Sequence, residues 1–284
     1  MTFEELNKAI TDLSTIDNLD FFTIGYSTMG QPIYGVHIGD YIGNQILIEG
    51  GIHAREYPSS LVVIGMIEHL ASLSEVPEGG IYLIPLSNPD GARIVLDGVD
   101  WLQCYKQAEF ITSVNDGSSN FSEWKASATS VDLNVNFDAL WGEGGQNVFC
   151  PSPGNFVGYY PNSEREVRNL IDFTYRVQPN LTLSYHTKGE VIYYGFELLS
   201  AEQLARDEEY ARVIQSVNGY TPTRTENSVG GYSDWVSLYL GVPAFTIEIG
   251  PLSAPTPVPL EYIHDAIEHN KDVPIALLNK LNEN

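Results

Sequence analysis

Two side chains able to bind a metal ion stand three residues apart in Gly50-Gly51-Ile52-His53-Ala54-Arg55-Glu56: the imidazole of His53 and the carboxylate of Glu56. Both are zinc-ligand types at a workable spacing. The stretch lies where the apolar run Ile46-Leu47-Ile48 gives way to the helically periodic Ser60 to Leu70, so a buried strand turning into a helix would hold both groups at its end. A pair at this spacing also arises often by chance, and the rest of the chain has to supply its partners.

Three further polar residues end segments that read as buried strands. Gly80 to Leu86 runs into the turn cluster Ser87-Asn88-Pro89-Asp90-Gly91, Leu181 to Tyr185 runs into His186, and Pro243 to Ile249 carries Glu248 at its end. Open α/β sheets bind ligands beyond the carboxyl ends of their strands, so His53, Asn88, His186 and Glu248 are expected on one rim. His186 would complete a His/Glu/His set that leaves a coordination position for water, the open arrangement of catalytic zinc. It would equally serve as a hydrogen-bonded histidine at a strand end. Glu248 is costly to bury unless paired or working. It is a candidate general base, with an ion pair to a nearby arginine as the structural alternative. His37, His69, His264 and His269 occupy no comparable position.

The elements that position these residues follow from the patterning. Phe21 to Tyr26 and Pro32 to Ile38 predict an antiparallel hairpin around Ser27-Thr28-Met29-Gly30-Gln31. Helices are predicted from about Ser59 to Ala71, from a Ser163-Glu164-Arg165-Glu166 capping box to Val177, over Ala201 to Asn218, from Gly230 to Leu240, and around Pro274 near the end. Residues 92–129 and 138–160 read as long irregular connections, which in a compact domain tend to be functional surface. Apolar strands alternating with helices predict one α/β domain over residues 1–284, a three-layer sandwich with a mixed, mostly parallel sheet flanked by helices.

The 284 residues are 43% hydrophobic, ample for a sizeable core, and 14 Lys and Arg against 37 Asp and Glu give a net charge of −23. So acidic a chain is not expected to bind nucleic acid or an anionic membrane surface. No apolar run approaches the ~20 residues that span a bilayer. The opening residues are acidic and amphipathic (Phe3, Leu6, Ile10, Leu13, with a Thr2/Glu5 capping box) rather than basic then apolar, so a cytoplasmic location is expected. Cys104 and Cys150 match no metal spacing and are open to either a single bridge or two free thiols. Arg55, Arg93, Lys125 and Lys188 all lie in or near the strand-end motifs, poised to bind carboxylates or an oxyanion, with solvated surface charge as the alternative.

Taken together, His53-Ala54-Arg55-Glu56, Asn88-Pro89-Asp90-Gly91, Trp124-Lys125-Ala126, Asp132-Leu133-Asn134-Val135-Asn136-Phe137, His186-Thr187-Lys188-Gly189, Gly230-Gly231-Tyr232-Ser233-Asp234-Trp235 and Thr246-Ile247-Glu248 occur in the order and approximate spacing of the zinc carboxypeptidases related to carboxypeptidase A. From about Thr23 to Gly250 the chain resembles that family. Within it, the run from His186 to Tyr194 and Trp124-Lys125-Ala126 look most like the bacterial branch of γ-D-glutamyl-meso-diaminopimelate peptidases, which cleave peptidoglycan stem peptides.

The resemblance implies one zinc ion held by His53, Glu56 and His186, with Glu248 activating water and then protonating the leaving amine. Lys125 takes the place of the cation that polarises the scissile carbonyl. Arg55 would line a substrate subsite, Asn134 would contact a substrate carboxylate, and Arg93, Lys188 and Tyr232 are placed with them as substrate-binding. Two positions depart from the family pattern. The usual Asn-Arg-Asn reads Asn134-Val135-Asn136, which deletes the arginine that holds the substrate's terminal carboxylate, and Glu226 stands about where the digestive enzymes carry a mobile tyrosine. The expected activity is therefore zinc-dependent hydrolysis of peptides with unusual linkages, most simply γ-D-glutamyl-diaminopimelate bonds in muropeptides. A conventional carboxypeptidase, a zinc N-acyl amino acid amidohydrolase and a non-catalytic binder of cell-wall peptides are the alternatives.

Overall fold

A computed structural model describes residues 1–283. Among these residues, eight strands form one mixed sheet in the order β1-β2-β4-β3-β5-β8-β6-β7. They are β1 (Asp20–Tyr26), β2 (Pro32–Gly39), β3 (Gln45–Gly50), β4 (Gly80–Ile84), β5 (Leu181–Thr187), β6 (Val191–Tyr194), β7 (Thr221–Arg224) and β8 (Ala244–Ile249). The centre, β4-β3-β5-β8, is parallel throughout, and β1, β2 and β6 join antiparallel. Every residue of β3 and of β5 is buried, as expected of parallel strands covered on both faces.

Nine α-helices are found among the described residues: α1 (Phe3–Asp12), α2 (Pro58–Ser72), α3 (Pro89–Asp97), α4 (Tyr105–Val114), α5 (Arg165–Val177), α6 (Ala201–Asn218), α7 (Tyr232–Tyr239), α8 (Ile263–Asn270) and α9 (Val273–Asn282). None is long and apolar enough to cross a membrane. The period of two along each strand divides the core. Ile46, Ile48, Leu183, Tyr185, Phe245 and Ile247 pack against α1, α2, α6, α8 and α9. Leu47 and Ala244 face the opposite layer, with Val167, Leu170 and Phe173 of α5 and Trp235 and Val236 of α7. Glu49, Ser184, His186 and Glu248 have the parity of this second face. The polar chemistry therefore lies on one side of the sheet.

Five features depart from the sequence expectation. The cluster at Asn88 is a helix start rather than a turn: Asn88 Oδ1 accepts from Gly91 N at 3.0 Å and Pro89 opens α3, since Asn at the N-cap and Pro at N1 favour helix as readily as turn. α4 arises inside the supposed irregular region but buries only Ile111, too little for a readable stripe. β6 and β7 are four-residue strands toward one edge of the sheet, and Pro222 in β7 conceals its strand character. The Ser163 capping box does not form. Glu164 is the N-cap, Ser163 Oγ donates to Glu164 Oε1, and Glu166 instead accepts from Thr28. The Thr2/Glu5 box is present, and Cys104 and Cys150 are both free and exposed.

The turn after β3 requires glycine. Gly51 has φ +66, and a Cβ there would run into Ser60 Oγ and come within 2.7 Å of Leu86 Cδ1. Gly51→Ala is expected to cost about 1–3 kcal/mol of stability, measurable by chemical denaturation. Because this turn launches His53, it should also weaken metal binding.

Candidate active site

Beyond β3 the chain makes a single 3-10 turn over Ala54–Glu56, with His53 as its N-cap. The turn points His53 and Glu56 the same way, toward His186 near the end of β5. Nδ1 of His186 lies 3.1 Å from Nδ1 of His53 and 3.0 Å from Oε2 of Glu56, and His53 Nδ1 lies 3.1 Å from that same carboxylate oxygen. All three residues are buried, and their donor atoms lie within 4.8 Å of one another. Two ring nitrogens facing each other and a carboxylate in a water-poor site have little reason to converge unless a cation joins them.

The outer nitrogens are accounted for, which is what fixes a ligating imidazole. His53 Nε2 lies 3.2 Å from Asp132 Oδ1, and His186 Nε2 lies 3.1 Å from Ser184 Oγ. Asp132 is completely buried. It also accepts from Asn134 N at 3.1 Å and Asn155 N at 2.9 Å, and pairs with Lys125 Nζ at 3.3 Å. Burial pushes its carboxyl up, but Lys125 and His53 outweigh burial and hold it well below the usual carboxylate range. Burial likewise opposes the Glu56 charge, and the two histidines reverse that and hold it ionised.

Glu248, paired in register with His186 across β5 and β8, has the opposite environment. Burial and then the charge of Glu56 push its carboxyl up to about 8, against the pull of His186, Lys125 and Arg55. Its Oε2 is buried with no hydrogen-bond partner among the described residues. A carboxylate kept next to a metal group without a partner of its own is free to take and return a proton.

A cavity of about 330 Å³ opens on this group. Among the site residues read from sequence, His53, Lys125, Asn134, His186 and Glu248 line it. Lys125 is brought there by the fully buried Trp124 and by its own carbonyl, which accepts from Ala54 N at 3.0 Å. The Trp124-Lys125-Ala126 segment is thereby fastened to the metal-binding turn. Asn134 Oδ1 accepts from Tyr232 N at 3.0 Å, which docks the start of α7 beside the cavity.

The other expected substrate-binding residues are placed differently. Arg55 pairs with Glu123 Oε2 at 2.7 Å, outside the cavity lining. Arg93 is directed elsewhere, over the rings of Phe3 and Trp101 with Asp97 at 3.7 Å, and lines a separate pocket. Lys188 Nζ donates to the carbonyl of Ala254. The Tyr232 side chain is wholly buried among Phe137 and Trp235, with its hydroxyl 2.8 Å from Thr174 Oγ1. Asn88 does not reach the metal group either: its amide donates to the carbonyls of Ile52 and Ala126, bracing the turn from behind.

Asp132, Ser184, Asp234 and the cavity hydroxyls are what sequence reasoning missed. Asp132 is visible as the one carboxylate in Val131-Asp132-Leu133-Asn134-Val135-Asn136-Phe137, but nothing local says which histidine it would meet.

A profile of the zinc carboxypeptidase family matches residues 7–271. The chain belongs to that family. It is 32% identical over 250 residues to gamma-D-glutamyl-L-diamino acid endopeptidase 1 of Lysinibacillus sphaericus, an alignment covering 83% of this chain and 61% of the relative. The chain thus spans about three fifths of that protein's length. In fold it is similar to bovine thrombin-activatable fibrinolysis inhibitor solved with tick carboxypeptidase inhibitor (TM-score 0.76, 19% identity, covering 100% of this chain and 97% of that one). It is also similar to the murein-tripeptide amidase MpaA of Escherichia coli O157 (TM-score 0.59, 20% identity, 91% of each chain). The family's cofactor is one zinc ion, and His53, Glu56 and His186 are the buried group that fits it.

Proposed function

We propose that this zinc carboxypeptidase family member, as one catalytic domain, is a metallopeptidase that hydrolyses γ-D-glutamyl-diamino acid bonds in peptidoglycan stem peptides. The observation that carries the substrate reading is the cavity lining. It includes the carboxylates Glu226 and Asp234 and the hydroxyls of Ser228, Ser233 and Ser237, while Lys125 is the one Lys or Arg among its described lining residues. With valine at 135, no arginine among the described residues lines the cavity to meet a terminal carboxylate. Carboxylates and hydroxyls instead complement an ammonium group. A diamino acid carries one on its side chain, and the relative at 32% identity is by name an endopeptidase for γ-D-glutamyl-L-diamino acid bonds.

Zinc held by His53, Glu56 and His186 would supply Lewis acidity toward the attacking water and the scissile carbonyl. Glu248 takes the proton from that water and delivers it to the leaving amine nitrogen. Lys125, steadied by Asp132, offers its ammonium to the oxyanion. Asn134, its amide oxygen engaged by Tyr232 N, keeps its amide nitrogen for a substrate carboxylate. Arg55 is available once a substrate carboxylate displaces Glu123.

The test is a digest of L-Ala-γ-D-Glu-diaminopimelate peptides, ordinary C-terminal peptides and N-acyl amino acids, read by mass spectrometry with zinc measured on the same sample. Zinc-dependent cleavage on the amino side of the diamino acid is expected, with the other two classes left intact. Removal of ordinary C-terminal residues instead would make the chain a conventional carboxypeptidase. Replacing both cavity carboxylates (Glu226→Gln with Asp234→Asn) should raise KM on the diamino acid peptide at least ~10-fold with a smaller change in kcat, as loss of charge-assisted contacts predicts. Burial pushes Asp234 up to about 7, against the pull of its hydrogen bond from Gly231 N. Its charged form therefore grows as pH rises through that value, and KM for the cationic substrate should fall over the same range.

A further inference from the structure

Glu49 is a carboxylate with no exposure at all, in the most central part of the sheet; burial pushes its carboxyl up, against the pull of His186, the hydroxyls of Ser184 and Ser87, and His53, and no lysine or arginine among the described residues adds to that pull. A chain has little to gain from a charge there unless the group holds something in place. Its two oxygens receive hydroxyls from the strands on either side. Ser87 Oγ, just past β4, donates to Oε2 at 2.7 Å, and Ser184 Oγ of β5 donates to Oε1. Glu49 and Ser184 are register partners across β3 and β5, and Ser184 lies two residues before His186 on the same face. Ser184 Oγ is therefore placed between Glu49 and His186 Nε2, which lies 3.1 Å away.

We propose that Glu49 and Ser184 act as a positioning relay that fixes which ring nitrogen of His186 is offered to the metal. A hydroxyl has one proton. When Ser184 gives its proton to Glu49, its oxygen can only accept at His186 Nε2. That nitrogen must then carry the hydrogen, and the lone pair falls on Nδ1, the atom 3.0 Å from Glu56 Oε2 and 3.1 Å from His53 Nδ1. Asp132 imposes the same tautomer on His53 through Nε2. The two histidines are thus set alike by partners reaching them from different strands and loops, one through a carboxylate directly and the other through a carboxylate and a hydroxyl. The relay concerns the metal centre alone, so it stands or falls independently of which peptide bond is cut.

The experiment measures zinc affinity by competition with a chromophoric chelator, together with the His186 tautomer by long-range proton–nitrogen NMR and a thermal melt, for four single variants and one double variant. Ser184→Ala and Glu49→Gln should each weaken zinc binding ~10–100-fold, the usual effect of losing an outer partner of a ligating histidine. Both should lower the Nε2–H population of His186 in the metal-free protein. Ser184→Thr should restore both readouts. Ser87→Ala, which removes a hydroxyl from Glu49 but leaves the relay intact, should stay within about threefold of the parent, and the double variant Glu49→Gln with Ser184→Ala should be no worse than Ser184→Ala, since both break one chain. Parent-like zinc affinity and tautomer in Ser184→Ala would overturn the proposal. So would equal losses in Ser184→Ala and Ser87→Ala, which would make the serines packing groups only. A variant that fails the melt is replaced in the comparison by Ser184→Thr against Ser184→Cys, where parent-like affinity in both again overturns it.

Discussion

Glu248→Gln is expected to bind zinc and substrate as the parent does while turning over at least ~100-fold more slowly, the minimum effect of removing a general base. The substitution preserves the shape of the side chain at the end of β8 and removes only its ability to accept a proton. Its environment also sets a pH signature. Burial and the Glu56 charge push Glu248 up to about 8, against His186, Lys125 and Arg55, and a cation at His53, Glu56 and His186 would pull it back down. In the proposed role the working form is the carboxylate, so kcat/KM should fall as pH drops through a limb lying between the ordinary glutamate value and about 8. The slope should approach tenfold per pH unit. Residual activity of the variant should lack that limb. Turnover near that of the parent, or an unchanged acid limb, would remove Glu248 from the mechanism.

How far the site could be read from sequence depends on how local each relation is. His53 and Glu56 are joined by one turn, and the apolar run before them announced the strand that carries them. His186 and Glu248 were readable because parallel strands put their carboxyl ends together, and β3, β5 and β8 are neighbours in that order. The fold class followed from the same alternation. What stayed hidden depends on register and rotamer. Nothing in the sequence says that Glu49 faces Ser184 across two strands, or that Asp132 spans His53 and Lys125. Cationic residues misled for the same reason. Arg93 sits next to a strand-end motif, but the helix that begins at Pro89 turns it onto Phe3 and Trp101. Tyr232 lies inside a family motif, yet its ring belongs to the core beneath α7. The short strands β6 and β7 matter too, since Tyr193, Tyr194 and the residues after Arg224 wall the cavity, and four-residue strands carry too little pattern to be seen.

Asp132→Asn is expected to lower kcat/KM at least ~100-fold and to weaken zinc binding ~10–100-fold, because one buried carboxylate serves both halves of the site. Oδ1 holds His53 Nε2 at 3.2 Å and Oδ2 holds Lys125 Nζ at 3.3 Å, while backbone amides of Asn134 and Asn155 complete the shell. All four neighbours are donors. An asparagine must turn its own NH₂ toward one side, setting donor against donor at either the histidine or the lysine. Asp132→Ala should be worse for the fold, since it leaves a lysine with 20% exposure unpaired against the core, at a cost of about 3–5 kcal/mol. The pH dependence follows from the depressed carboxyl of Asp132. Its contribution to stability is present above the unfolded value of ~3.9 and is lost as pH falls through that value toward the folded one. Acid titration of unfolding should therefore show a steeper loss in the parent than in Asp132→Asn. Lys125→Met separates the two duties. It removes the ammonium but leaves Asp132 on His53, so turnover should fall while zinc affinity stays within about threefold. Should Lys125→Met lose zinc as severely as Asp132→Asn, the carboxylate would be holding the metal centre through the lysine rather than through His53.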